Sequence, residues 1–204
     1  MLEGFERAYS DGRSDIIWLP EHVDAFLNVA CLEMQLAMVL ALHTGQPQGD
    51  VRCFAWSQYD GATISLRQGK RRRLGREGPS VKVPCTKALK ATLDAAERRA
   101  AVILTTKTGL AFKKRYLARL WEETRKLAGL PDDLHFHDIR GTTVTMLAEA
   151  KCTLPEIAAI TGHSLRRAQD ILDKYLARTS RLAESVIAKF ENVLETNSAK
   201  RAAK

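Results

Sequence analysis

Between Leu134 and Leu176 the chain reads LHFHDIRGTTVTMLAEAKCTLPEIAAITGHSLRRAQDILDKYL. His137 and Arg140 stand three positions apart in it, His163 follows Thr161-Gly162, and Tyr175 lies near its end. One hydroxyl and several basic nitrogens are what a protein needs to attack and hold a phosphodiester. Arg140 offers a planar fork of donors that matches phosphate oxygens. His137 precedes it at the start of a predicted helix and projects to the same side, where a helix N-terminus favours the same anion. Tyrosine is a weak nucleophile because a free phenol ionises near pH ~10. Neighbouring Arg, Lys or His would stabilise its oxyanion.

Each of these residues also has a plainer reading. His137 could cap the helix while Arg140 pairs with an acid such as Asp138. His163 could be an ordinary loop residue between two short helices. Tyr175, one turn beyond Ile171 on a helix with Leu165, Ala168 and Leu172, could be a half-buried core residue.

The elements that would position these residues are mostly helical. Pro20 suits the first turn of a helix whose inner face holds Phe26, Leu27 and Ala30. Leu32, Leu36, Val39 and Leu40 predict a second helix to about Leu42, closed by Gly45. A short helix over about Pro47–Phe54 follows. Tyr59-Asp60-Gly61 signals a turn, Thr63–Leu66 and Val81–Pro84 read as paired strands, and the basic stretch between them forms a long hairpin tip. Thr86 caps a helix to about Arg99, and Val102–Thr105 is a third strand or an extended buried segment. Helices are then expected over about Phe112–Leu127, with Tyr116, Leu117, Leu120, Trp121 and Leu127 as burial candidates, and over Phe136–Ala150, Leu154–Thr161, Ser164–Tyr175 and Leu182–Glu195. The fold class is mainly α with a small antiparallel β-sheet (α+β). Residues 1–18 read as a leader or linker, 19–195 as one domain, and 196–204 as a disordered basic tail.

Composition narrows the partner. The 204 residues carry a formal net charge of +8, concentrated in Lys70-Arg71-Arg72-Arg73, Lys113-Lys114-Arg115, Arg166-Arg167 and the tail. Basic patches spaced along a chain suit a surface that tracks phosphates. No apolar run approaches the roughly 18–20 residues that span a bilayer, and the polar N-terminus has no secretory core. The four cysteines are scattered without metal-ligand spacing. The expectation is a cytoplasmic protein whose partner is nucleic acid before any membrane.

The ordered set H-x-x-R, T-G-H and a tyrosine twelve residues after that histidine resembles the phage integrase, or tyrosine recombinase, family. FHDIRGT, LPEIAAITGHS and ILDKYLART look like variants of its C-terminal boxes. LALHTGQPQGDVRCFAWSQYDG is similar to its first box, and LRQGKRRR with VKVP to its lysine-bearing strand pair. The resemblance covers about residues 19–192. It implies a catalytic domain that cuts and rejoins DNA through a 3′-phosphotyrosyl link formed by Tyr175. It further implies that Arg140 holds the non-bridging oxygens, Lys70 protonates the leaving 5′-oxygen, His137 assists proton transfer and His163 bonds the phosphate. Asp50 matches a supporting acidic position. Lys70, Arg71, Arg72, Arg73, Arg166 and Arg167 would meet double-stranded DNA. No metal or cofactor is implied, because side-chain cations replace it, and self-association as a tetramer on DNA would use the C-terminal helix.

One box departs from the pattern. The family's T-G-x-R places a second arginine clamp where this chain has Thr44-Gly45-Gln46-Pro47. Proline fits a helix's first turn, but losing one preorganised donor costs roughly 10²–10³ in rate. Arg52 lies about 140° round a helix from Pro47 and should face elsewhere; Arg71 is another substitute. Cleavage is therefore expected to be impaired, the alternative being a catalytically inactive DNA-binding module derived from such an enzyme. Only a short leader stands where family members carry an N-terminal helical domain, so the sequence predicts a lone catalytic half that binds DNA weakly.

Overall fold

The computed structural model describes residues 16–69 and 78–176, together with 187, 190 and 191. Among these residues, eight α-helices surround one two-stranded sheet. Helix α1 (Pro20–Val29) begins at proline, whose missing N–H costs nothing in a first turn. Helix α2 (Leu32–Thr44) ends at Gly45, which takes the left-handed φ of +62° and donates its N–H to the Ala41 carbonyl. Helix α3 (Gln48–Val51) starts directly after Pro47. Strands β1 (Thr63–Arg67) and β2 (Ser80–Pro84) pair antiparallel with Ile64 opposite Val83 and Leu66 opposite Val81. Their alternating apolar residues face inward, as the period of two dictates.

Helix α4 (Lys87–Ala95) is capped by Thr86, whose hydroxyl accepts the Leu89 N–H. It stops short of Arg99: residues 97–99 carry only charges, offer nothing to bury, and Arg99 instead pairs with Glu97. The 102–105 segment is an extended buried stretch rather than a third strand. Val102 bridges Ala55 and Thr105 bridges Ala111 singly, while Ile103 and Leu104 are buried. Helix α5 (Lys114–Leu127) buries Leu117 and Trp121, but Tyr116 and Leu127 are exposed, because the helix's polar majority leaves room for only a narrow buried stripe. Helix α2 forms where the leucine spacing predicts it, but that spacing does not mark its inner face. Met34, Ala37, Met38, Leu40 and Ala41 are buried, and Leu32 is 77% exposed. A helix apolar on nearly every side gives leucine periodicity no power to choose a face.

The core begins before the first periodic residue. Trp18 is 2% exposed and lies edge-on to Phe26 and Trp121; its backbone N–H donates to Thr142 Oγ1 (2.8 Å) and its indole N–H to the His135 carbonyl (3.0 Å). A 3₁₀ turn (Phe136–Asp138) leads into α6 (Ile139–Glu149), followed by α7 (Leu154–Thr161) and α8 (Leu165–Leu176). Thr142, Thr143 and Thr145 are poor helix formers, yet α6 holds because they are buried, and the Thr143 hydroxyl reaches the Leu42 carbonyl on α2 (2.9 Å). Helices α6, α7 and α8 enclose a second apolar cluster of Val144, Ile157, Ala168, Ile171 and Leu172. The expected helix over 182–195 and the tail fall outside the described residues.

Candidate functional site

Two Thr-Gly corners meet at the centre of the site. Thr44-Gly45 closes α2 and Thr161-Gly162 closes α7, each glycine in the left-handed region (φ +62° and +70°). Each threonine hydroxyl donates back one turn, Thr44 to the Leu40 carbonyl (2.6 Å) and Thr161 to the Ile157 carbonyl (2.7 Å). The corners touch: a Cβ on Gly45 would lie 3.0 Å from Thr161 Cγ2. Both glycines therefore satisfy a backbone angle and a close approach.

Arg140, half-buried on the first turn of α6, bridges the corners. Its Nη1 donates to the Gly45 carbonyl (2.5 Å) and its Nε to His163 Nε2 (3.0 Å). Because Nε2 accepts, the imidazole proton sits on Nδ1, which lies 2.9 Å from Thr161 Oγ1 and donates to it. Burial, and then the cations of Arg140 and Arg167 with His137 beside them, push His163 down to about 3, so it is neutral near pH 7. Burial lowers Arg140 to about 10, opposed by the Asp50 carboxylate, and leaves the guanidinium charged.

Asp50, on α3, has its carboxyl raised by burial, with the Gly69 N–H and Arg140 opposing. Its Oδ1 accepts the Gly69 N–H (2.9 Å), while Oδ2 is buried without a hydrogen-bond partner among the described residues. It lines a cavity of about 480 Å³ together with Pro47, Gln48, Arg52, Arg67, Gly69 and Lys114. Arg52 shares that cavity, yet its Nη1 is held by the Phe112 carbonyl (2.8 Å). A larger groove of about 570 Å³, walled by Leu32, Leu36 and Val39 of α2 and Ala95 of α4, contains none of these residues.

The structure thus brings Arg140, His163, Asp50, Pro47, His137 and Arg167 to one region. His137 is exposed at the 3₁₀ turn; Arg166 is exposed and Arg167 half-buried at the start of α8. Tyr175 is 6% exposed and its hydroxyl donates to the Glu149 carboxylate at the far end of α6. Lys70, Arg71, Arg72 and Arg73 fall outside the described residues. The sequence reading missed Gln46, Gln68 and Glu149. Gln68 carried a signal, continuing the inward alternation of Ile64 and Leu66 as a polar residue on a buried strand face; Gln46 and Glu149 carried none.

A match to the phage integrase family extends over residues 19–176. This chain belongs to the phage integrase family. No curated protein matches it. Among solved structures, XerA recombinase is similar at 17% identity, covering 82% of this chain and 65% of that one, with a TM-score of 0.68. The lambda integrase catalytic core is similar at 22% identity over 73% of this chain and 91% of the other (TM-score 0.61). A lambda integrase dimer bound to a COC′ core site is similar at 22% identity over 86% and 52% (TM-score 0.67). The fold is that of a tyrosine recombinase catalytic domain. The chain spans less than two thirds of the XerA recombinase (65%) and of XerH, solved bound to its difH substrate (47%). No helix among the described residues is long and apolar enough to cross a membrane.

Proposed function

We propose that this phage integrase domain cuts and rejoins DNA strands through a tyrosine–phosphate intermediate, with cleavage weakened by Pro47. The observation that carries this reading is the Arg140 guanidinium, charged and half-buried, fixed between the Gly45 carbonyl and His163. A scissile phosphate exchanged for those partners would receive a preorganised fork of donors. The Tyr175 oxygen attacks phosphorus, the bond to the 5′-oxygen breaks, and that oxygen leaves as a hydroxyl with a proton from Lys70. His137 assists removal of the tyrosine proton, and Asp50 supports Arg140. His163 donates to the phosphate only after its Nε2 gains a proton, because Arg140 occupies that lone pair here. Lys70–Arg73, Arg166 and Arg167 hold the flanking duplex. Self-association on DNA, through the C-terminal segment around Leu182–Leu194, completes the reading; light scattering with and without duplex checks it.

A second reading, a DNA-binding module without cleavage activity, is favoured by Pro47, which leaves the Asp50 cavity without the clamp arginine. Covalent adducts distinguish the two. Nicked duplex suicide substrates with randomised core sequences are incubated with the chain, with Pro47→Arg and with Tyr175→Phe, and adducts are counted on denaturing gels. Adducts that increase with Pro47→Arg and vanish with Tyr175→Phe support the recombinase. Equal, abundant adducts from the first two chains refute the weakening, and none from Pro47→Arg favours the module.

A further inference from the structure

Beneath the Arg140–His163 pair lies a buried amide network of two residues to which the resemblance assigned no role. Gln68, at the end of β1, is 8% exposed; Gln46, between Gly45 and Pro47, is 1% exposed. The Gln68 amide nitrogen donates to Gln46 Oε1 (2.6 Å) and to the Thr161 carbonyl (2.8 Å). The Gln46 amide nitrogen donates to the Thr44 carbonyl and to the Ile160 carbonyl, each at 3.0 Å. Both protons of each amide are therefore committed, and three separate pieces of chain are tied together: the α2 corner, the α7 corner and the end of β1. The fit is close, since a Cβ on Gly162 would lie 2.3 Å from the Gln68 amide nitrogen.

Buried amides are expensive unless satisfied, so such a network either holds its geometry or fails as a whole. Here that geometry fixes the two corners that supply Arg140's partners, the Gly45 carbonyl and His163. The Thr161 residue whose carbonyl accepts from Gln68 also takes the His163 Nδ1 proton on its hydroxyl. The next residue, Gly69, just beyond β1, is pinned in turn by Asp50.

We propose that Gln68, acting with Gln46, is a positioning residue that sets the placement and tautomer of His163 and thereby the aim of Arg140. Neither glutamine touches the reacting atoms. The proposal rests on the reading of Arg140 and His163 as the phosphate-holding pair. A purely structural role predicts loss of stability without a specific change at His163. A positioning role predicts a change at His163 in a chain that remains folded.

The decisive measurement is ¹⁵N NMR of the histidine rings across pH 4 to 8 in the full chain, with His163 assigned through His163→Gln. In the wild type the His163 signals show the Nδ1–H tautomer and do not titrate between pH 5 and 8. Gln68→Met removes both donated bonds, and Gln68→Glu places a carboxylate against two acceptors. In either variant His163 should show mixed tautomers and a midpoint moved up by one pH unit or more, while His22 and His135 remain unchanged. Where Gln68→Met fails to fold, Gln46→Met, which leaves the Gln68–Thr161 bond in place, should give the same shift at smaller size. Unchanged His163 signals in the folded variants overturn the proposal. In a Pro47→Arg background, Gln68→Met should slow single-turnover adduct formation by roughly 10- to 100-fold, the cost of an ångström-scale misplacement, with the Kd for duplex unchanged. If Pro47→Arg itself forms no adducts, the proposed activity fails and the His163 titration still decides the role of Gln68.

Discussion

The Tyr175 hydroxyl donates its proton to Glu149, on the last turn of the helix whose first turn carries Arg140. Nine residues separate these two positions on α6, on the order of 13 Å of helical rise. A phenol that donates to a carboxylate retains its proton and faces a negative charge if it loses it. On the proposed reading, Glu149 opposes nucleophilic attack in this arrangement, and Tyr175 must release it to reach a phosphate on Arg140. In a Pro47→Arg background, Glu149→Ala should speed adduct formation by roughly 3- to 30-fold. That range, about 0.7–2 kcal/mol, reaches only the lower part of the roughly 1.5–3 kcal/mol for a charged hydrogen bond because Glu149 is solvent-exposed. Initial rates on a suicide substrate give the answer; slower formation would show that Glu149 serves the tyrosine as a base.

Pro47 has φ −59° and caps α3, an angle that arginine adopts without strain. Pro47→Arg would place a guanidinium beside a cavity of about 480 Å³ in which Asp50 Oδ2 lacks a partner among the described residues. Freeing the unfolded chain costs about 0.4–1 kcal/mol, partly offset by the new ion pair. Adduct formation should rise by roughly 10²–10³, with Tm lowered by only a few degrees. A single-turnover assay and a thermal melt on one preparation check both numbers.

The positions of Arg140, His163 and Pro47 were legible because spacing on helices fixes direction, and because Gly45 and Gly162 announce helix ends. The contacts between them were not. Nothing in Thr44–Pro47 indicates that the Gly45 carbonyl will receive Arg140, since that contact closes a loop of nearly a hundred residues. Glu149 looked like any exposed helical acid. On α2, leucine periodicity gave the helix but not its inner face, which small and sulphur-bearing side chains share with Leu40. Tyr116 and Leu127 were misplaced for a related reason: an apolar type at a suitable spacing does not outweigh a mostly charged helix.

Arg167 approaches His163 at the start of α8, with its backbone N–H donating to Ser164 Oγ (3.2 Å). A phosphate on Arg140 would meet this second cation. Arg167→Ala should weaken duplex binding and reduce the slope of log K against log salt by about 0.9, the value for one lost phosphate contact. Fluorescence anisotropy from 50 to 300 mM salt measures the slope; an unchanged slope removes Arg167 from the DNA surface.

Trp18 joins the aromatic cluster of Phe26, Trp121 and Phe136 although it precedes the first helix. Trp18→Ala should cost about 3–5 kcal/mol, the range for a buried tryptophan, and leave the His135 carbonyl without its indole donor, while the backbone N–H to Thr142 Oγ1 survives. A chain starting at residue 19 should therefore unfold at clearly lower urea than one starting at residue 16. Equal midpoints would mean that Trp18 covers the core without stabilising it.

His163 makes stability depend on pH in a defined window. Its folded value, pushed down to about 3, lies below the unfolded value of about 6.5. Between those limits the unfolded chain binds the extra proton, so the contribution is fully present above about pH 6.5 and is lost as pH falls towards about 3. Each unit of pH in that window removes at most about 1.4 kcal/mol. His43, also lowered by burial, adds to the slope of every variant, and subtraction removes it. His163→Gln keeps a polar side chain at the corner but cannot titrate. Urea midpoints at pH 7, 6 and 5 should fall more steeply for the wild type than for His163→Gln, and parallel lines would show that His163 is not held neutral between Arg140 and Thr161.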